Sequence, residues 1–252
     1  MFIDTHAHLT DERFKDNLNE VIKYAFDMGV EKMLCSASDI NSSRASITLA
    51  SQFENVYVSI GVHPQEAFNF SEKDIQVLRK LAQNKKVVGI GEIGLEYRDG
   101  CPDRETQKNA FRKQIALAQE LNLPIVIHCR EAIGDTLEVL REFNNLKGTF
   151  HCFSESLESA KIILNLGLHI SVGGVVTFKN GRRLQEVVPE LPLERLLLET
   201  DCPYLAPEPN RGKLNQPAYI PLIAEKIAAL KNNSVGEVAA QTTLNARRLF
   251  NI

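Results

Sequence analysis

The sequence predicts an α/β chain folded as a (β/α)8 TIM barrel, on three observations. Eight short β-branched apolar runs recur, at 2–6, 32–36, 56–61, 87–92, 124–128, 148–151, 169–173 and 195–201. They are apolar almost throughout, as strands buried on both faces of a parallel sheet are, and segments with helical spacing separate them. Eight such units fit a chain of 252 residues read as one domain, 1–252, which is the arithmetic of a barrel. An open doubly wound sheet is disfavoured, because THAHLTDE follows the first strand where a glycine-rich phosphate loop would be needed.

The first run, FIDTH, leads into two histidines, His6 and His8. Strand alternation puts Phe2, Asp4 and His6 on one face, with His8 continuing it. In 11–29, Phe14, Leu18, Val21, Ile22, Ala25 and Phe26 form a helical stripe and Gly29 supplies a stop. The third strand ends in SIGVHPQ with His63, and the fourth in IGEIG with Glu92. Segment 104–122 repeats the helical device with Ala110, Phe111, Ile115, Ala118 and Leu121. The fifth strand ends in VIHCR, with His128 and Arg130, and the sixth in TFHCF, with His151. The next helix takes Ser154 or Ser156 as its cap and ends at Gly167. His169, early in the seventh strand, reads as structural or surface. The eighth strand ends LLLETD, with Glu199 and Asp201. After a Pro-rich loop, PEPNRGKLNQPAY, come helices at 217–230 and 235–249, the last an extra C-terminal helix.

Composition excludes several classes. A net charge of −3 gives no global positive field, so nucleic-acid contact would need a local basic patch. Five cysteines without a C-x-x-C argue against a disulfide framework or zinc ribbon and fit reduced thiols. No apolar stretch approaches the roughly 20 residues of a membrane helix. The first residues also lack the form of a signal peptide. The expected compartment is the cytoplasm.

In a parallel barrel, all carboxyl ends of strands open onto one face. Five of the six histidines therefore converge there with Glu92 and Asp201. Imidazole with carboxylate suits zinc, manganese or iron, and a carboxylate bridge also suits magnesium. His6, His8, Glu92, His128, His151 and Asp201 exceed the protein ligands of one catalytic zinc. They suit two divalent ions about 3.5–4 Å apart, bridged by one carboxylate. Glu92, lying between the His6/His8 side and the His128/His151 side, is the expected bridge. Asp201 is the expected general base. Glu199 and Asp4 read either as supports for ligands or as buried polar residues paired within the barrel. His63, Arg130 and Lys179 are candidate phosphate contacts, with Arg182, Arg183, Arg211 and Lys213 rimming the same mouth. Stacking would fall to Tyr97, Phe153, Phe178 or Tyr204.

The motifs FIDTHAHL, IGVHPQ, GEIGLEY, IHCREA, FHCFS and LLLETDCPYLAP occur in that order. Together they resemble the TatD family of metal-dependent deoxyribonucleases, within the amidohydrolase-like TIM barrel hydrolases, over nearly the full length. The resemblance implies one metal site from His6, His8, Glu92 and Asp201, and a second from Glu92, His128 and His151. It implies two divalent ions (Mg, Mn or Zn) and hydrolysis of phosphodiester bonds in DNA, usually from the 3′ end; the residues themselves leave open whether DNA or RNA ends are the main substrate. Catalysis would rest on Asp201 and Glu92, with no membrane and no obligate protein partner. One departure stands out: GLEYR replaces the family's frequent GLDYY, so Glu96 and Arg98 bear on substrate preference and neither is an expected ligand. The closest rival is a barrel hydrolase of an amide, lactone or ester, including aminoacyl esters on RNA. Many such relatives bridge their metals with a modified lysine from the fourth strand. Here that strand ends in Glu92, and no lysine follows before Lys108. A binding module stabilised by metal is a second rival, disfavoured because structural zinc sites are closed and usually cysteine-rich.

Overall fold

A computed structural model describes residues 1–252. All eight expected strands form: β1 (Phe2–Ala7), β2 (Val30–Ser36), β3 (Val56–Ile60), β4 (Val87–Glu96), β5 (Ile125–Arg130), β6 (Gly148–Phe150), β7 (His169–Val172) and β8 (Leu196–Leu198). Each pairs in parallel with the next, in chain order, as a nearly closed TIM barrel. The helices are α1 (Leu18–Asp27), α2 (Ile40–Ala50), α3 (Glu72–Leu81), α4 (Arg104–Glu120), α5 (Ile133–Arg141), α6 (Leu157–Asn165), α7 (Arg182–Val187), α8 (Ile220–Lys231) and α9 (Val235–Phe250). None is long and apolar enough to cross a membrane.

Local chemistry sets the boundaries. Ser156 caps α6 by accepting from the Ser159 N–H, and Gly167 at φ +88° ends the segment. α1 buries Val21, Ile22 and Ala25 but leaves Phe26 37% exposed, because the stripe centres on Ile22 and Ala25 and Phe26 falls at its margin. α9 plugs the barrel from below. Its Ala246 and Phe250 meet Ile3, Val88, Val126 and Leu197, the second residues of β1, β4, β5 and β8.

Two departures from the expected strand ends shape the mouth. β4 runs four residues past Glu92 to Glu96, and β8 stops at Leu198, three residues before Asp201. Asp201 adopts a left-handed backbone, φ 55°, a conformation that its short polar side chain tolerates better than most. Its N–H bonds the His6 carbonyl at 2.9 Å, and the His8 N–H bonds the Cys202 carbonyl at 2.7 Å. These bonds and one bridge, Ala7 with Cys202, close the barrel between β1 and β8.

Asp4 locks that seam. Fully buried, it accepts from the Thr200 hydroxyl at 2.6 Å, the Thr200 N–H at 3.0 Å and the His6 N–H at 3.3 Å. Burial pushes its carboxyl up to about 7, against the pull of the Thr200 bonds. Its side chain reaches strand backbone and a hydroxyl, so it positions His6 through the main chain and touches no imidazole. Asp4→Ala leaves two buried Thr200 donors unpaired. It is expected to cost about 2–4 kcal/mol in urea unfolding, whereas a loss under about 0.5 kcal/mol would place the seam's strength elsewhere.

Candidate metal centre

Ser36, the last residue of β2, orients the first two histidines. His8 Nδ1 lies 3.1 Å from the Ser36 carbonyl, which can only accept. In the neutral ring the proton therefore sits on Nδ1, which leaves the Nε2 lone pair toward the barrel mouth. His6 Nδ1 meets the Ser36 hydroxyl at 3.2 Å, and that hydroxyl is held in turn by Ser59 at 3.0 Å. The two Nε2 atoms face one another at 3.3 Å. Glu92 Oε2 lies 3.5 and 3.7 Å from the His6 and His8 nitrogens, and Asp201 Oδ1 lies 3.7 and 3.3 Å from them.

The other oxygen of Glu92 faces a different pair. Its Oε1 is 2.6 Å from His128 Nδ1 and 2.7 Å from His151 Nε2, and those nitrogens are 3.2 Å apart. Behind His151, Nδ1 is buried without a partner, 3.7 Å from Glu199 Oε1. Glu199 accepts from the Cys152 N–H at 2.5 Å and keeps its other oxygen buried and unpaired. His6, His8 and Glu92 form one trio with donor atoms within 4.8 Å of one another, and His6, His151 and Glu199 form a second. Buried imidazole nitrogens gathered about carboxylates, with one lone pair fixed by a carbonyl, are a donor set that fits divalent cations.

His63 belongs to a third trio with Glu92 and His128, but its tautomer sets it apart. Its Nδ1 accepts from the Gln65 N–H at 3.1 Å. The proton of the neutral ring is therefore on Nε2, 3.6 Å from Glu92 Oε1 and 3.9 Å from Glu96 Oε2. His63 is a donor into the site rather than a lone pair.

The electrostatics follow from burial against this company. Burial alone would raise the Glu92 carboxyl, but His151, His63, His6 and His128 reverse it and hold it well below the ordinary carboxylate value. Burial opposes protonation of His151, yet Glu92 and Glu199 hold it well above the usual imidazole value. Asp201 is kept low by His8 against the opposing effect of burial. Burial and the neighbouring His128 drive His63 down to about 3.

A cavity of about 630 Å³ opens over these residues. It is lined by His8, His63, Glu92, His128, His151 and Asp201, together with Arg98, Arg130 and Tyr204. His6 lies beneath, fully buried. Lys179 is exposed and lies outside this lining, as do Arg182, Arg183, Arg211 and Lys213. None of the five expected rim cations lines this cavity: Arg211 covers the Phe178 ring at 4.3 Å, and Arg182 pairs with Glu186. Among the four aromatic candidates, Phe153 is in the core and the Tyr97 hydroxyl is tied to Asp135. Tyr204, 47% exposed, faces the cavity with the Arg13 guanidinium 4.4 Å over its ring.

Glu96, which the sequence ties only to substrate preference and not to ligation, stands against the His128 ring. It is 1% exposed, and its Oε2 is 3.3 Å from His128 Nε2. The available signal was Gly94, whose φ is +150° and whose Cβ would stand 1.9 Å from the His128 carbonyl. Only glycine lets β4 run on against β5 to reach Glu96.

The family model described as TatD related DNase matches residues 3–251. A Bacillus subtilis protein named uncharacterized metal-dependent hydrolase YabD is 42% identical over 254 residues, covering 100% of both chains. The protein named 3′-5′ ssDNA/RNA exonuclease TatD from Erwinia tasmaniensis is 38% identical over 257 residues, 99% of each chain. Among solved structures, the TatD homologue YJJV of Escherichia coli K12 superposes with a TM-score of 0.94 at 29% identity, over 100% of this chain and 98% of that one.

The His63 arrangement has a spectroscopic consequence. A folded value near 3 lies below the unfolded value near 6.5, so the unfolded ring takes the proton first. His63 therefore subtracts stability as pH falls from 6.5 toward 3. Long-range nitrogen–proton spectra of metal-free protein should show a neutral His63 carrying its proton on Nε2 down to about pH 4. Titration near 6.5, or a proton on Nδ1, would contradict the assignment.

Proposed function

Because the chain belongs to the TatD-related DNase family of metal-dependent hydrolases, we propose that it is a 3′–5′ exonuclease. Its substrates are DNA ends, with RNA ends second, and it acts through two divalent ions (Mg, Mn or Zn). One observation carries this: the two oxygens of Glu92 face separate histidine pairs, His6/His8 and His128/His151. His6, His8, Glu92 and Asp201 would hold one ion, and Glu92, His128 and His151 the other. Such ions, when bound, neutralise charge on a scissile phosphate and acidify water.

The chain's own groups do the rest. Asp201 is the general base: its side chain reaches the cavity, 14% exposed, and stays ionised beside His8. It takes the proton of the attacking water. The His63 Nε2–H donates to a non-bridging phosphate oxygen, and Arg130 pairs with the neighbouring phosphate from the end of β5. Tyr204 offers the terminal base an exposed ring at the cavity wall. The exonuclease name of the Erwinia tasmaniensis relative supports the substrate class. Residues 1–252 act as one domain, and five free cysteines fit a reducing, cytoplasmic setting.

The test is 3′-labelled single-stranded DNA incubated with metal-stripped protein, with and without magnesium or manganese. Release of labelled nucleotide should require metal and fall at least about 100-fold in Asp201→Asn. Hydrolysis of an ester or lactone with no nucleotide released under any metal would overturn the assignment.

A further inference from the structure

We infer that Glu96 is a positioning residue: it fixes the proton of His128 on Nε2, so that Nδ1 is left free to hold a cation. The inference rests on the two-ion reading of the site and assigns one residue within it. His128 offers Nδ1 toward Glu92 Oε1 and His151 Nε2. A neutral imidazole can give a lone pair there only if its proton is on the other nitrogen. That nitrogen, Nε2, is buried and has no aligned hydrogen bond, and Glu96 Oε2 stands 3.3 Å from it. A carboxylate behind a ligating histidine sets both the tautomer and the ring orientation.

The surroundings of Glu96 keep a carboxylate in that place. Arg98 pairs with its Oε1 and leaves Oε2 directed at His128. Gln107 of α4, 1% exposed, brackets the Glu96 backbone, accepting from its N–H at 2.8 Å and donating to its carbonyl at 2.7 Å. Seven residues on, the equally buried Gln114 brackets Val62 in the same way, at 2.7 and 2.9 Å, beside His63. Burying two amides on the inner face of a helix is costly unless both are bonded, and both are. α4 thus holds in register the two residues, Glu96 and His63, that flank the His128 ring. A third ion shared by His63, Glu96 and His128 is the competing use of the same cluster. The His63 proton on Nε2 opposes it.

Manganese titration of the metal-stripped full chain, followed by competition with a chelator, separates these outcomes. Wild type should bind two ions. Glu96→Ala should also bind two, with the first affinity unchanged, which reports intact folding, and the second weakened about 10–100-fold. Glu96→Asp should return the second affinity to within about threefold of wild type. In zinc-loaded, histidine-labelled protein, a slowly exchanging Nε2 proton on His128 should be present in wild type and lost in Glu96→Ala. Two ions in wild type with affinities and His128 signal unchanged in Glu96→Ala would overturn this inference alone. Three ions in wild type, one of them missing in Glu96→Ala, would make Glu96 a ligand and overturn it too. A single ion in wild type would overturn the two-ion reading and the inference with it.

Discussion

Glu92 is 3% exposed, and five imidazoles approach its carboxylate, His128 and His151 most closely at 2.6 and 2.7 Å. His6, His63 and His8 follow at 3.5, 3.6 and 3.7 Å, with no lysine or arginine in contact. A carboxylate removed from water costs several kcal/mol unless opposite charge and hydrogen bonds replace what the solvent gave. Imidazoles are the one side chain that can answer this in two ways, by carrying a proton or by giving a lone pair to a cation. The barrel supplies them from within or just beyond the ends of β1, β3, β5 and β6, distant in sequence and gathered at one rim.

Two structural devices keep this arrangement in register. The seam between β1 and β8 has only one bridge, so Asp4 and the backbone bonds of His6, His8 and Asp201 carry the closure. Closing the barrel and bringing Asp201 beside His8 are the same event. On the other side, Gly94 lets β4 lie against β5, and the buried amides of α4 grip the end of β4 at Glu96 and the chain after β3 at Val62. Stability and the geometry of the mouth are coupled through hydrogen bonds to main chain, which do not relax independently of the strands.

Much of this was legible in the residues. Strands buried on both faces are continuous apolar runs, so all eight could be placed, and a histidine or acid at the end of such a run has only the rim to occupy. The unread parts have a common cause: they depend on distances between elements. Glu96 lies past the apolar run, and its place in the site follows from the approach of Gly94 to His128. Gln107 and Gln114 fall at helical spacing on the buried stripe of α4 with Phe111 and Ala118, but nothing in one helix says that two backbones wait to bond them. Lys179 and its basic neighbours were placed by nearness in sequence to β7, yet the turn after that strand leaves Lys179 exposed and off the cavity wall. Asp4 shows the converse, a residue whose alternation with His6 was plain while its partner, Thr200, lay 196 positions away.

Anomalous diffraction from manganese-soaked crystals bears on the bridge assigned to Glu92. Two peaks are expected, about 3.5–4 Å apart, one contacting each carboxylate oxygen, with His6 and His8 around one and His128 and His151 around the other. A single peak, or two peaks neither of which touches Glu92, would contradict it.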